Sequence, residues 1–95
     1  MPAPLRLVRP TPGLQLAMDP RIPDALEAFP FALPKNLPAV RVDWLVDGNI
    51  VGSTARHTYQ FLWSLVRGSH TVQARVWQEG HADPVETPVV EFVVK

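Results

Sequence analysis

The chain is predicted to be all-β, an immunoglobulin-like or fibronectin type III-like antiparallel β-sandwich of roughly six to seven strands. Three observations predict it. Apolar and polar residues alternate in Val40–Val46, Thr58–Leu65 and Thr71–Val76, no window carries an apolar period of helical length, and turn residues punctuate the chain about every 8 to 12 residues. A chain of 95 residues has room for one hydrophobic core. Residues 1–95 are therefore read as a single domain, with residues 1–12 as a partly extended linker leading into it.

The N-terminal third is cut into short pieces by Pro10, Pro12, Pro20, Pro23, Pro30, Pro34 and Pro38, each of which lacks the N–H that a central strand needs. Edge strands and extended loops are expected there. Leu5–Val8 and Leu14–Met18 read as two halves of a first strand broken at Pro10–Gly13, Asp24–Ala28 as one helical turn, and Phe29–Leu33 as a strand with Phe29, Phe31 and Leu33 facing inward. The clearest strand follows. Val40–Val46 places Val40, Val42, Trp44 and Val46 on a core face and Arg41 and Asp43 on a wet one. Asp47-Gly48 between apolar runs is a strong signal for a two-residue hairpin, because Gly tolerates the positive φ of a type I′ turn.

Thr58–Leu65 points Tyr59, Phe61, Trp63 and Leu65 one way and Thr58, Gln60 and Ser64 the other, so these aromatics are expected to supply most of the core. Arg67–Ser69 is a turn. Val72, Ala74 and Val76 then alternate with Thr71, Gln73 and Arg75 in a strand expected to run antiparallel to its predecessor, with Trp77 on the polar face. Gln78–Pro84 reads as a loop, and Val89–Val94 as a closing strand, apolar but for Glu91, that is sandwiched or covered.

Composition narrows the function classes. At 46% hydrophobic and 19% charged residues, the chain is too apolar for intrinsic disorder, and its apolar residues are too evenly spread for a membrane span. Nine basic residues balance nine acidic ones without a basic cluster, so nucleic acid is not an expected partner. Cysteine is absent, which removes disulfides and thiolate metal ligands. The first residues do not carry the basic and then apolar pattern of a signal peptide, so the domain either stays inside the cell or comes from a longer exported parent.

No catalytic constellation is visible, and neither a cofactor nor a metal site is expected. His57, His70 and His81 lack the i,i+2 or i,i+4 spacing of shared ligands; His57 and His81 read as loop residues and His70 as a ring bonding a turn or a backbone carbonyl. Ser53, Ser64 and Ser69 lie outside any strand-to-helix elbow. The acids Asp19, Asp24, Glu27, Asp43, Asp47, Glu79, Asp83, Glu86 and Glu91 are dispersed and read as turn and surface residues. The five glycines are isolated and form no phosphate loop. The candidate interaction surface is Trp77 with Arg75 and Gln73, where an aromatic ring on a polar strand face can pack against protein, stack on a sugar or be covered by a loop such as the proline segment. Tyr59 is the second candidate for sugar stacking.

One segment adds a resemblance. Arg9-Pro10-Thr11-Pro12-Gly13-Leu14-Gln15-Leu16-Ala17-Met18-Asp19-Pro20-Arg21-Ile22-Pro23, with its Asp-Pro-x-Ile-Pro ending, resembles the opening of the C-terminal domain of class 1C penicillin-binding proteins. Trp44 with Asp47-Gly48, then Trp63, then Gly68-Ser69-His70-Thr71-Val72, then Val90-Glu91-Phe92-Val93-Val94 continue the likeness over nearly the whole chain. The resemblance implies the non-catalytic, immunoglobulin-like tail of a periplasmic, membrane-anchored peptidoglycan synthase whose catalytic motifs lie elsewhere. It implies partners among the other domains of that synthase or periplasmic proteins, with glycan as a further option, and no direct membrane insertion of this piece. A carbohydrate-binding module and a generic immunoglobulin-like spacer are the alternatives.

Overall fold

In the computed structural model, which describes residues 5–23, 26–35 and 37–95, eight strands form two sheets. They are β1 (Leu14–Leu16), β2 (Ala28–Ala32), β3 (Ala39–Val46), β4 (Asn49–Ala55), β5 (Gln60–Ser64), β6 (Gly68–Gln78), β7 (Val85–Glu86) and β8 (Val90–Val94). The larger sheet runs β1-β8-β6-β3-β4, with β7 also on β6, and the smaller is the pair β2-β5.

Asp47 and Gly48 adopt φ of 53° and 84°, the left-handed pair of a type I′ turn, so Val46 pairs directly with Asn49 and the hairpin β3-β4 has the expected two-residue loop. The Asp47 side chain anchors that loop to β6. Its Oδ1 accepts the Thr71 N–H at 2.9 Å and its Oδ2 lies 2.8 Å from Nδ1 of His70, whose Nε2 lies 2.7 Å from the Val66 carbonyl oxygen. Beyond Trp44 the hairpin slips by one residue, a bulge that leaves Gly52 opposite Trp44. The Phe61 ring fills the space beside Gly52 and stacks on Trp44 at 6.2 Å.

The second edge of β6 is closed by an interrupted strand. β8 pairs with Gly68–Val72 and β7 with Arg75 and Val76; between them Thr87 continues the ladder, its N–H donating to the Ala74 oxygen and its Oγ1 accepting the Ala74 N–H, both at 2.9 Å. The next residue is Pro88, which has no N–H to offer, so the Thr87 hydroxyl and backbone carry the pairing before the strand breaks.

Inward residues of both sheets form one core. Phe31, Val42, Trp44, Trp63, Val72, Ala74, Val76, Phe92 and Val94 are buried, with Tyr59, Phe61 and Leu65 packed partly against them. The alternation in the sequence therefore assigned the core faces of β3, β5 and β6 correctly. Phe29 is only partly buried against that core, and Val40, expected to face it, does not belong to it: a bulge between Ala39 and Arg41 interrupts the alternation and Ala39 is the buried residue.

Several expectations are corrected. Among the described residues there are eight strands rather than six or seven, because the two-residue β7 is too short to show alternation. Pairing is antiparallel except between β1 and β8, which run parallel. β6 does not pair with β5: residues 65–67 carry the chain to the other sheet, and β6 lies between β3 and β8. The two halves of the N-terminal strand also part company. Val8 and Arg9 bond to Ala32 at the edge of β2, while Leu14–Leu16 joins β8 beyond the bend at Gly13, so one segment borders both sheets. Within the stretch read as a linker, Leu7 and Pro10 are buried against the sandwich, and residues 1–4 fall outside the described residues. Of the expected helical turn, Asp24 and Ala25 fall outside them too; Leu26 N–H bonds the Pro23 oxygen at 2.8 Å and Ala28 already begins β2.

Gly52→Ala is expected to destabilise the domain by about 1–3 kcal/mol, because the new methyl overlaps the Phe61 ring in a packed stack. Urea unfolding at neutral pH measures it, and a change under about 0.3 kcal/mol, the scale of a surface substitution, contradicts this packing.

Candidate functional site

The outer face of β6 presents Gln73, Arg75 and Trp77, on the side opposite the buried Val72, Ala74 and Val76. The register places Leu45, Asp43 and Arg41 of β3 beside them in that order. Asp43 was expected on a wet face. It is instead only 4% exposed, and three side chains make four contacts with its carboxylate. Ser53 Oγ donates to Oδ1 at 2.7 Å and Trp77 Nε1 donates to Oδ2 at 2.9 Å. The Arg41 guanidinium spans both oxygens, with Nε at 3.2 Å from Oδ1 and a terminal nitrogen at 3.4 Å from Oδ2. The same guanidinium carbon lies 4.8 Å from the centroid of the Trp77 ring, a cation-π contact.

A buried carboxylate is tolerated when its acceptor capacity is filled. Burial pushes the Asp43 carboxyl up, but the Ser53 and Trp77 hydrogen bonds and the Arg41 charge outweigh it and hold it below the ordinary aspartate value. Asp47 is also held low, first by its hydrogen bond with His70 and then by the Thr71 N–H. On the outer face, then, an ordered cluster of Arg41, Asp43, Ser53 and Trp77 replaces a solvated row of polar side chains.

Gln73 and Arg75 belong to an adjoining network. Gln73 Nε2 donates to Glu86 Oε2 and to the Thr87 oxygen, both at 3.2 Å, and Arg75 lies 3.8 Å from Glu86. All three expected residues thus share one face, and each is engaged by a neighbour. The N-terminal proline segment pairs along β2 and β8 instead, and Arg41 is what covers Trp77. Sequence reasoning missed Arg41 and Asp43 as members of this site. The available signal was that a tryptophan on a polar strand face needs an acceptor for its N–H, and Asp43 stood on the matching face of β3.

Tyr59 is half-buried and donates its hydroxyl to the Leu37 oxygen at 2.8 Å. Glu27, expected at the surface, is 8% exposed and accepts the Asp19 N–H at 2.6 Å, while Asp19 itself binds Arg21. His57 and His81 line one hollow of about 250 Å³ beside the exposed Arg56–Glu79 ion pair, a proximity their sequence spacing conceals. Among the described residues no three His, Asp or Glu side chains gather in a metal-binding group, and no helix is long and apolar enough to cross a membrane.

Comparison with known proteins gives three results. The model of the Penicillin-Binding Protein C-terminus Family matches residues 1–86. The fold is similar to that of the fibronectin(III)-like modules of Clostridium thermocellum CbhA, with a TM-score of 0.73, 23% identity, and coverage of 96% of this chain and 95% of that one. It is also similar to part of a Jonesia denitrificans lytic polysaccharide monooxygenase, with a TM-score of 0.62 and 17% identity over 88% of this chain and 58% of that one. Comparison with curated proteins finds no match.

Asp43→Ala is expected to cost about 2–3 kcal/mol, since it leaves the partly buried Trp77 N–H without its acceptor and removes the Arg41 and Ser53 contacts. Ser53→Ala, which leaves the Arg41 and Trp77 contacts in place, is expected to cost about 1 kcal/mol. Because Asp43 and Asp47 are held below the ordinary value of 3.8, the stability they contribute is fully present above pH 3.8 and disappears as pH falls through their lower folded values. Denaturant titrations from neutral pH down to strong acid check both points. A stability profile flat through that acid range, or a neutral Asp43→Ala, contradicts the cluster.

Proposed function

The chain belongs to the penicillin-binding protein C-terminus family, and from that premise we propose that it is a non-catalytic accessory domain of a periplasmic peptidoglycan synthase, acting by protein contact. The parent's polymerising and cross-linking chemistry is assigned to other domains. This one supplies a rigid face that positions the enzyme against another of its own domains or a periplasmic protein.

The observation that supports protein contact best is the order of the Trp77 face. Tryptophan and arginine are the residue types that anchor protein interfaces, and here both are fixed before any partner arrives. Trp77 is held through its N–H by a buried carboxylate, and Arg41 is held by the same carboxylate, so little side-chain freedom is lost on association. Sugar stacking is served less well, because the Arg41 guanidinium already lies over the indole ring.

The test is interferometry of this domain against the glycosyltransferase and transpeptidase domains of its parent protein, together with tryptophan fluorescence during titration with muropeptides. Saturable protein binding, weakened about tenfold or more by Trp77→Ala and by Arg41→Ala, is expected. No fluorescence response at millimolar muropeptide is expected. A saturable sugar response abolished by Trp77→Ala establishes the carbohydrate reading in its place, and absence of any binding leaves the domain as a spacer.

A further inference from the structure

We propose a second docking site, the outer edge of β5, for an extended partner segment of alternating apolar residues flanked by acidic ones. The proposal rests on the protein-contact reading and specifies a partner chemistry for it at a different surface.

The smaller sheet has only two strands, and among the described residues no strand pairs with the far side of β5. The phase of the ladder fixes which backbone groups are open. Leu33 N–H donates to the Tyr59 oxygen at 2.9 Å and Leu65 N–H to the Glu27 oxygen at 3.0 Å, and the register is continuous between these two pairs. Hydrogen-bonded pairs therefore fall on odd residues, and the N–H and C=O of Gln60, Leu62 and Ser64 point away from β2. A row of unpaired groups on an edge strand is a template for strand addition.

The side chains along this edge are uncharged, with Leu62 exposed between the polar Gln60 and Ser64. Leu62 is 68% exposed, and at the end of the ladder Leu26 and Val66 are 74% and 54% exposed. Ala28 and Ser64 are paired beside them, with Pro30 opposite Leu62. Natural proteins usually blunt such an edge with a charge, and none stands in β5.

Charge lies at the two ends instead. Lys35 lines an open hollow of about 420 Å³ with His57, Tyr59 and Gln60 at the start of β5, and Arg67 follows Val66 past its end. Like Arg6, Arg9 and Lys95, neither forms an ion pair among the described residues, and these two are the cations at the ends of β5. Glu27, which adjoins β2, is buried. The neutral total of the chain thus hides an uncharged edge, with Leu62 exposed at its middle, bracketed by cations. Its complement is a strand of about five residues, roughly 17 Å, with an acid at each end. Anionic lipid would match the charges and the apolar side chains but would leave the backbone row unpaired, so a peptide strand is the better fit.

The test uses the domain labelled for amide NMR, the peptide DEVTVTVED, its counterpart KKVTVTVKK, and vesicles of phosphatidylglycerol and phosphatidylcholine in equal parts. The acidic-flanked peptide is expected to shift the amides of Gln60, Leu62 and Ser64, with affinity falling about tenfold or more in the double variant Lys35→Glu, Arg67→Glu and in Leu62→Lys. Leu62 is exposed, so its variant is expected to fold, which the unchanged remainder of the spectrum checks. Equal binding of the basic peptide, vesicle binding at these residues without peptide binding, or no peptide response at millimolar concentration overturns the proposal. Trp77→Ala is expected to leave peptide binding unchanged. Failure of the peptide to bind is therefore distinguishable from failure of parent-domain binding through the Trp77 face.

Discussion

The structure depends on the contact of Phe31 with Trp44 and Trp63. Among the described residues no ladder pairs a strand of one sheet with a strand of the other; the N-terminal segment borders both, and side chains fill the space between them. Phe31 of β2 is fully buried, 6.4 Å from Trp44 of β3, 5.6 Å from Trp63 of β5 and 5.9 Å from Phe92 of β8. Trp63 adds edge contacts to Phe92 at 5.5 Å and to His70 at 5.1 Å. These rings bury large areas and interlock in stacked and edge-on geometries, so they hold the two-stranded sheet to the larger one. A two-stranded ribbon is marginal on its own in water, and without the aromatic cluster β2 and β5 have nothing to stand on.

Both candidate surfaces follow from this arrangement. With the core supplied by one face of each sheet, the outer face of the larger sheet is free to carry the Arg41, Asp43 and Trp77 cluster. Its four polar contacts on one carboxylate make that face specific rather than sticky. The smaller sheet is so narrow that its β2 edge is bridged at Ala32 by Val8 and Arg9 and interrupted by Pro30, while the other edge stays open along β5. The domain therefore offers two unlike surfaces, an ordered charged-aromatic face and an uncharged edge with its backbone unsatisfied.

Much of the fold was legible because its strongest determinants are local. Alternation in Val40–Val46 and Thr58–Leu65 identifies core faces whatever the topology, and Asp47-Gly48 encodes a turn through the positive φ it tolerates. What stayed hidden is non-local. Nothing in residues 65–67 says that the chain changes sheet there, and the parallel pairing of Leu14–Leu16 with Phe92–Val94 joins residues at opposite ends of the chain. The site divides the same way. Gln73, Arg75 and Trp77 share a face by simple alternation, but the burial of Asp43 depends on a tryptophan 34 positions away, and so an acid that looked solvated became the centre of the cluster. The resemblance carried by Asp19–Pro23 agrees with the family match over residues 1–86, although no single contact in that segment identifies the family.

Native-state amide hydrogen exchange on the isolated domain tests the central claim most directly: that the aromatic cluster docks a two-stranded sheet with one open edge. The amides of Phe29, Phe31, Phe61 and Trp63 should be protected as strongly as those of β3 and β6, opening only with global unfolding, while those of Leu62 and Ser64 exchange orders of magnitude faster. Weak protection throughout β2 and β5 contradicts the docking, and strong protection of Leu62 contradicts the open edge.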